Sequence, residues 1–181
     1  MDVATEGPPR ARRFVAVWPP EEVLAAVAEL PRAGGAALRW TAPAQWHTTL
    51  AFLGEVADAD RGRLEAVLAG VAEGARGPVL ARLGPATRVL GAGVLVVPVA
   101  GLEELASAVA AGVAGWGTGM GGRAWAGHLT LARARGRSRV PARLAGATID
   151  ARWSVTELTL VRSRLDPAGA RYEIEAQFPL A

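Results

Sequence analysis

The 181-residue sequence contains no cysteine, no lysine and only two histidines. Without cysteine, disulfides, thiolate metal sites and cysteine nucleophiles are excluded, and the redox compartment cannot be inferred. All twenty basic residues are arginines, yet the net charge is only +3. The planar guanidinium group suits phosphate better than the lysine ammonium does. This composition is compatible with an anionic ligand but predicts only a weak, salt-sensitive hold on a long polyanion.

The sequence also lacks a long apolar run. Its longest, "VLVVPVAGL" at residues 94–102, is too short to cross a bilayer. The N-terminal "MDVATEGPPRARR" carries prolines and charges but no apolar segment of a secretory signal. We therefore expect a cytoplasmic protein with no membrane partner. The prolines and charges predict a flexible tail at residues 1–12, and the length and 51% hydrophobic content predict a single domain at residues 13–181.

Hydrophobic periodicity predicts interleaved strands and helices. Helical spacing is found in "EEVLAAVAEL", "DADRGRLEAVLAGVAEGA" and "LEELASAVAAGVAGW". Strands are predicted in "RRFVAVWP", "ALRWTAP", "WHTTLAFLG", "VLARLG", "GVLVVPVA" and "AGHLTLARAR", and a C-terminal hairpin in "WSVTELTLVRSRL" and "RYEIEAQFPL". Because hairpins join antiparallel strands, the predicted fold class is α+β with mostly antiparallel sheet.

Both histidines begin a predicted strand and are followed by x-Thr-Leu. They occur in "WHTTLAFLG" and "HLTLAR". Residues i and i+2 of a strand face the same side, so His47 lies beside Thr49 and His128 beside Thr130. If the two strands meet, two imidazoles that titrate near pH 7 can take and give protons in one reaction, while the hydroxyls bond an anion such as phosphate.

These motifs resemble the paired H-x-T-x motifs of the two-histidine (2H) phosphoesterases, in particular the LigT-like RNA 2′,3′-cyclic phosphodiesterases. The similarity extends to "RRFVAVWPPEEV", "LRWTAPAQWHTTLAFLGEV" and "LTLVRSRLDPAGARYEIEAQFPL". It implies two pseudo-symmetric lobes with helices outside, and a central cleft with one motif from each lobe. It also implies opening of a 2′,3′-cyclic phosphate to a 2′-phosphate without metal or other cofactor, on RNA ends or nucleotides, by a protein expected to be a monomer.

The resemblance further implies residue roles. His47 matches the proton donor to the leaving 3′-oxygen, His128 the base that activates water, and Thr49 and Thr130 the phosphate ligands. The sequence alone leaves the two histidine roles interchangeable. One departure is Gly127, where family members usually have proline; glycine is expected to loosen the placement of the second histidine.

Phe52 and Arg133 each lie five residues after a histidine and match family positions that contact the nucleotide. In a regular strand, however, side chains alternate, so a residue five positions after the histidine faces the opposite side of the sheet. Either the strands bulge or these residues support the site from behind. For Phe52 a core position is equally compatible with the sequence; for Arg133 a functional role is favoured, because a buried arginine without an anion would be costly.

Three alternatives remain open at this point. The same site could join RNA ends through a 2′,5′ linkage, a small cyclic nucleotide could be the substrate, or the protein could bind RNA ends without catalysis. The segment "GTGMGG" at residues 117–122 follows a predicted helix and precedes a strand, the reverse of a dinucleotide-binding context. It is interpreted as a surface connection, with a lid over the cleft as the alternative.

Overall fold

The computed structural model describes residues 9–33, 35–116, 124–166 and 169–181. In chain order, the strands and helices of these residues are β1 (Arg10–Val17), α1 (Glu21–Ala28), β2 (Leu38–Trp40), β3 (Thr48–Ala57), α2 (Arg61–Glu73), β4 (Val79–Leu83), β5 (Arg88–Leu90), β6 (Val94–Ala100), α3 (Glu103–Gly112), β7 (His128–Ala134), β8 (Ala151–Val155), β9 (Glu157–Asp166) and β10 (Gly169–Pro179). Every one of their strand pairings is antiparallel. The predicted α+β class is confirmed.

The strands follow the order β10-β9-β1-β3-β7-β6-β4-β8, with β2 paired to β7 and β5 to β6. The two histidine strands, β3 and β7, meet at the middle of this order. Their ladder consists of one register pair, Thr48 with Leu129. Four strands of the main path therefore lie on each side of a narrow join, an arrangement compatible with the two predicted lobes.

One apolar cluster joins the two sides of the sheet. Helices α2 and α3 bury Leu64, Leu68 and Val109 in it, because these residues recur at helical spacing. Strand β3 adds Leu50 and the strands around it add further aliphatic side chains. A second, small cluster of Phe14, Ala16 and Val161, with Trp18 and Tyr172 packed against it, lies apart from the first.

Several predicted boundaries differ from the structure. Strand β1 begins within the predicted tail, since Arg10 pairs with Ala57 of β3. The segment "WSVTELTLVRSRL" forms two strands that pair with different partners, β8 with β4 and β9 with β1 and β10. Local alternation cannot reveal this change of partner at Thr156, nor the three-residue strand β5.

Some predictions fall outside the described residues. The "GTGMGG" segment does so entirely, and the hairpin turn at 166–169 does so in its two central residues. Among the described residues, no helix is long and apolar enough to cross a membrane.

Candidate active site

A cavity of about 530 Å³ lies where the two halves of the sheet meet. All six predicted site residues line it, three from β3 and its approach and three from β7. The structure thus brings together two segments that are remote in sequence. The lining residues are Arg12, Arg13, Phe14, Thr41, Gln45, His47, Thr49, Phe52, Gly54, His128, Thr130, Arg133, Ser163 and Tyr172.

Both histidine rings are oriented in the same way. Nδ1 of His47 lies 2.7 Å from the carbonyl oxygen of Gln45, and Nδ1 of His128 lies 2.8 Å from that of Ala126. A carbonyl oxygen can only accept, so Nδ1 carries hydrogen and donates in both rings. Each Nε2 is then the atom that gains or loses a proton. No described residue bonds either Nε2, and neither atom is buried.

Aromatic rings surround His47. Phe14 stacks on it with ring centroids 4.9 Å apart, Trp18 lies at 5.1 Å, and Tyr172 meets it edge-on at 5.0 Å. Burial among these rings lowers the pKa of His47 from its ordinary value to about 4, and the positive charges of His128 and Arg133 act in the same direction. The bond to the Gln45 carbonyl opposes this shift only in part. In the empty cleft His47 is neutral at pH 7.

The two threonine hydroxyls are available to a ligand. Thr49 and Thr130 line the cavity, and neither hydroxyl bonds another described residue. Two hydroxyl donors beside two imidazoles, with Arg133 on the same cavity, form a set of donors suited to phosphate oxygens. Among the described residues, no group of three or more histidine or acidic side chains is placed to hold a metal ion.

A bulge in each histidine strand explains how Phe52 and Arg133 can lie on the same strand face as the histidines. In β3, Val15 pairs with Ala51 but Ala16 pairs with Thr49, so Leu50 is an extra residue. In β7 the same shift leaves Leu131 unpaired between Thr130 and Ala132. Each extra residue reverses the alternation that follows it. Position five after each histidine therefore returns to the face of the histidine, and both Phe52 and Arg133 reach the cavity.

The alternative interpretations of these two residues are wrong. A core position for Phe52 is excluded, because 63% of the residue is exposed. Arg133 lines the cavity, but it is exposed rather than buried, so the cost of a buried charge does not explain its position. The signal for a bulge is in the sequence: each motif continues with Leu-Ala, two adjacent apolar residues that both become buried.

Two tryptophans tie the histidine strands to each other, and neither was predicted from the sequence as a site residue. Trp46, just before His47, donates from Nε1 to the Thr41 hydroxyl at 2.9 Å. That hydroxyl lies 2.8 Å from the carbonyl oxygen of Thr130, to which it donates. In the reverse direction, Trp125 donates from Nε1 to the Thr49 carbonyl at 3.0 Å. Each motif is thus anchored to the backbone of the other.

Gly127 lies in a contact too close for a side chain, while its loosening of the second motif stays a prediction. A Cβ at this position would overlap the Val99 carbonyl oxygen and the ring of Trp125. The Gly127 carbonyl also accepts a hydrogen bond from the Val99 amide at 2.9 Å. Glycine is therefore needed here for the close approach of the backbone to Val99 and Trp125.

The aromatic surroundings of His47 were also missed. Phe14 and Trp18 belong to β1 and its end, and Tyr172 lines the cavity from β10. Burial raises the pKa of Tyr172, against the opposing effect of the Arg133 and Arg39 charges. Nothing local marks these residues, because they come next to the histidine only through the pairing of β1 with β3 and β9 and of β9 with β10.

The chain matches known proteins in sequence and in structure. The model of the family described as LigT like phosphoesterase matches residues 17–82. The structure superposes on TT0787 of Thermus thermophilus with a TM-score of 0.81 and 31% identity, over 93% of this chain and 97% of that one. Two structures of LigT from Escherichia coli, complexed with 3′-AMP and with ATP, give TM-scores of 0.75 and 0.73.

Each of these LigT structures is 25% identical to this chain, and the match covers 96% of this chain and 99% of LigT. No curated protein matches. With a family model on its first motif region and a 31% identical relative matched over nearly its full length, this chain is a member of the LigT-like phosphoesterases of the 2H superfamily.

Proposed function

We propose that this phosphoesterase hydrolyses the 2′,3′-cyclic phosphate at the end of an RNA or nucleotide to a 2′-phosphomonoester, without a metal ion. One observation carries the proposal: two imidazoles, each with Nδ1 bonded to a carbonyl and Nε2 unbonded, line one cavity with two free threonine hydroxyls. That arrangement supplies a base, an acid and phosphate ligands around one phosphorus atom.

The reaction moves two protons. Thr49, Thr130 and Arg133 hold the phosphate, and Nε2 of His128 takes a proton from water as its oxygen bonds to phosphorus. The bond from phosphorus to the 3′-oxygen breaks, and the His47 imidazolium gives its Nε2 proton to that oxygen. The products are a 2′-phosphomonoester and a 3′-hydroxyl. Phe52, exposed at the edge of the cavity, stacks on the base.

The donor role requires that His47 be protonated in the complex, although its pKa in the empty cleft is about 4. A bound phosphate adds negative charge beside the ring, which stabilises the imidazolium and raises the pKa. Substrate binding is therefore accompanied by proton uptake at His47. If the pKa stayed near 4 in the complex, the two roles would be exchanged, with His47 the base.

The relatives support a nucleotide ligand. The E. coli LigT structures contain 3′-AMP and ATP, and another contains phosphate. A nucleoside monophosphate with phosphate at its 3′ position has the parts that this cavity is equipped to hold. We extend that ligand class to the present protein. A cytoplasmic location and a monomeric state remain proposals from the sequence.

The test is incubation with a short oligoribonucleotide that ends in a 2′,3′-cyclic phosphate, in excess EDTA, followed by identification of the product. We expect a 2′-phosphate terminus at an undiminished rate with EDTA. A 3′-phosphate product, or loss of activity with EDTA, would contradict the mechanism. Joined strands after addition of a 5′-hydroxyl oligonucleotide would identify ligation, and tight binding without turnover a recognition module.

A further inference from the structure

Two arginines lie directly opposite each other at the margin of the cavity. Arg39 of β2 is the register partner of Arg133 of β7. Directly paired residues on antiparallel strands project from the same face, with Cβ atoms about 4.5–5.5 Å apart. Since Arg133 lines the cavity, Arg39 lies on the cavity face as well, one strand further out.

Other contacts place the Arg39 guanidinium at this margin. Its Nη1 is 3.6 Å from the position that a Cβ would occupy on Gly169, where β10 begins. The charges of Arg39 and Arg133 both act on the pKa of Tyr172, a cavity residue. The guanidinium thus extends from β2 toward the strand that closes the cavity on its other side.

This arrangement is unfavourable in the empty protein. Like charges directly opposite each other on adjacent strands destabilise a sheet. Neither arginine forms an ion pair or side-chain hydrogen bond with another described residue. By contrast, Arg12 pairs with Glu55 and Arg13 with Glu175. Two adjacent unneutralised guanidinium groups form a site for more than one negative charge.

We propose that Arg39 binds the phosphodiester next to the terminal phosphate, so that this cleft is built for the end of an oligonucleotide rather than for a mononucleotide. This rests on the proposed function, in which Arg133 and the histidines hold the terminal phosphate. A mononucleotide presents one phosphate, which leaves Arg39 without an anion. A dinucleotide presents a second phosphate, which neutralises Arg39 and removes its repulsion with Arg133.

The experiment compares the affinity of two ligands that need no turnover. These are 3′-AMP and the dinucleotide ApA carrying a 3′-phosphate, titrated calorimetrically into the wild type and into Arg39→Gln. We expect the wild type to bind the dinucleotide more tightly, and R39Q to reduce the ratio of the two affinities about fivefold, as for loss of one exposed charge pair. The slope of log affinity against log salt for the dinucleotide should fall by about 0.7.

Two further variants control this result. Arg143→Gln removes the same charge from an exposed arginine that does not line the cavity, and it should leave the ratio unchanged. Arg39→Lys should retain most of the wild-type ratio of the two affinities, because a point charge suffices to bind one phosphodiester. The melting temperature of R39Q should not fall, since the substitution removes a repulsion.

The assignment of Arg39 would be overturned if the ratio of the two affinities were unchanged in R39Q, even where the variant bound both ligands more weakly. Equal affinity of the wild type for both ligands would do the same. The outcome is separate from that of the proposed function: a protein that binds these ligands as expected but hydrolyses no cyclic phosphate retains the Arg39 subsite and loses the proposed reaction. If the wild type bound neither ligand, both the Arg39 subsite and the proposed function would be overturned.

Discussion

The two histidines make the same hydrogen bond in different surroundings. Each donates from Nδ1 to the carbonyl two residues earlier, a distance fixed within the motif itself. The rings that enclose His47 come from β1, its end and β10, and the described residues place no aromatic ring in contact with His128. The sequence predicts the matched pair because the motif is local. It cannot predict the asymmetry, which depends on remote strands.

This asymmetry predicts a titration. In the free protein, the imidazole NMR signals of His47 should titrate with a pKa near 4, because burial disfavours the charged ring. Bound 3′-AMP should raise that pKa, since its phosphate favours the imidazolium. A His128→Gln variant assigns the signals, as the chain has only these two histidines. A free-protein pKa near 6.5, or no change with ligand, would contradict the account.

In each of the two histidine strands, one extra residue determines which of the later side chains face the cavity. Leu50 and Leu131 occupy the same position in their motifs, and each bulge brings the following side chain, Phe52 or Arg133, back to the histidine face. Periodicity alone predicts the opposite face, because it assumes an unbroken ladder. The two consecutive buried positions in Leu-Ala are the local sign that the ladder breaks.

The segment that leads into β7 at His128 is held by Trp125, so Trp125→Phe should reduce kcat. The variant keeps a ring beside Gly127 but loses the bond to the Thr49 carbonyl, at a cost of about 1 kcal/mol in unfolding free energy. Trp153→Phe also removes an indole N–H, one that bonds no described residue, and should leave kcat unchanged. Urea unfolding checks the stability of W125F, and steady-state kinetics check kcat in both variants. Wild-type kcat in W125F, or an equal loss of kcat in W153F, would refute the role of Trp125.

For the whole molecule, the sequence predicts the strands but not their partners. Strand β1 lies between β3 and β9, and these pairings bring N-terminal and C-terminal segments together beside the cavity. Such contacts carry no local pattern. The same limitation concealed an ion pair: Arg13 and Glu175 are 162 residues apart in sequence, yet they are 2.7 Å apart in the fold. Glu175 reaches inward because a bulge in β10 leaves it unpaired between Ile174 and Ala176.

Glu175→Ala should destabilise the fold strongly. The side chains of Arg13 and Glu175 are only 1% and 4% exposed. The substitution removes charge-assisted hydrogen bonds from this buried guanidinium and leaves Asp58 as its remaining ion-pair partner among the described residues, at a cost of about 1.5–3 kcal/mol. Glu173→Ala breaks an exposed pair with Arg164 on the same strand pair and should cost about 1 kcal/mol at most. Urea denaturation measures both. Similar losses in the two variants would show that the buried pair does not stabilise the fold as described.

The central claim is that His47 and His128 act together on one phosphate in the shared cavity. The most direct measurement is the rate of 2′,3′-cyclic phosphate hydrolysis by His47→Ala, His128→Ala and the double variant. We predict a loss of about 10²–10⁴-fold for each single variant. The double variant should lose little more, because residues that act as a unit are not additive. Wild-type activity in the double variant, or losses that simply multiply, would contradict the claim.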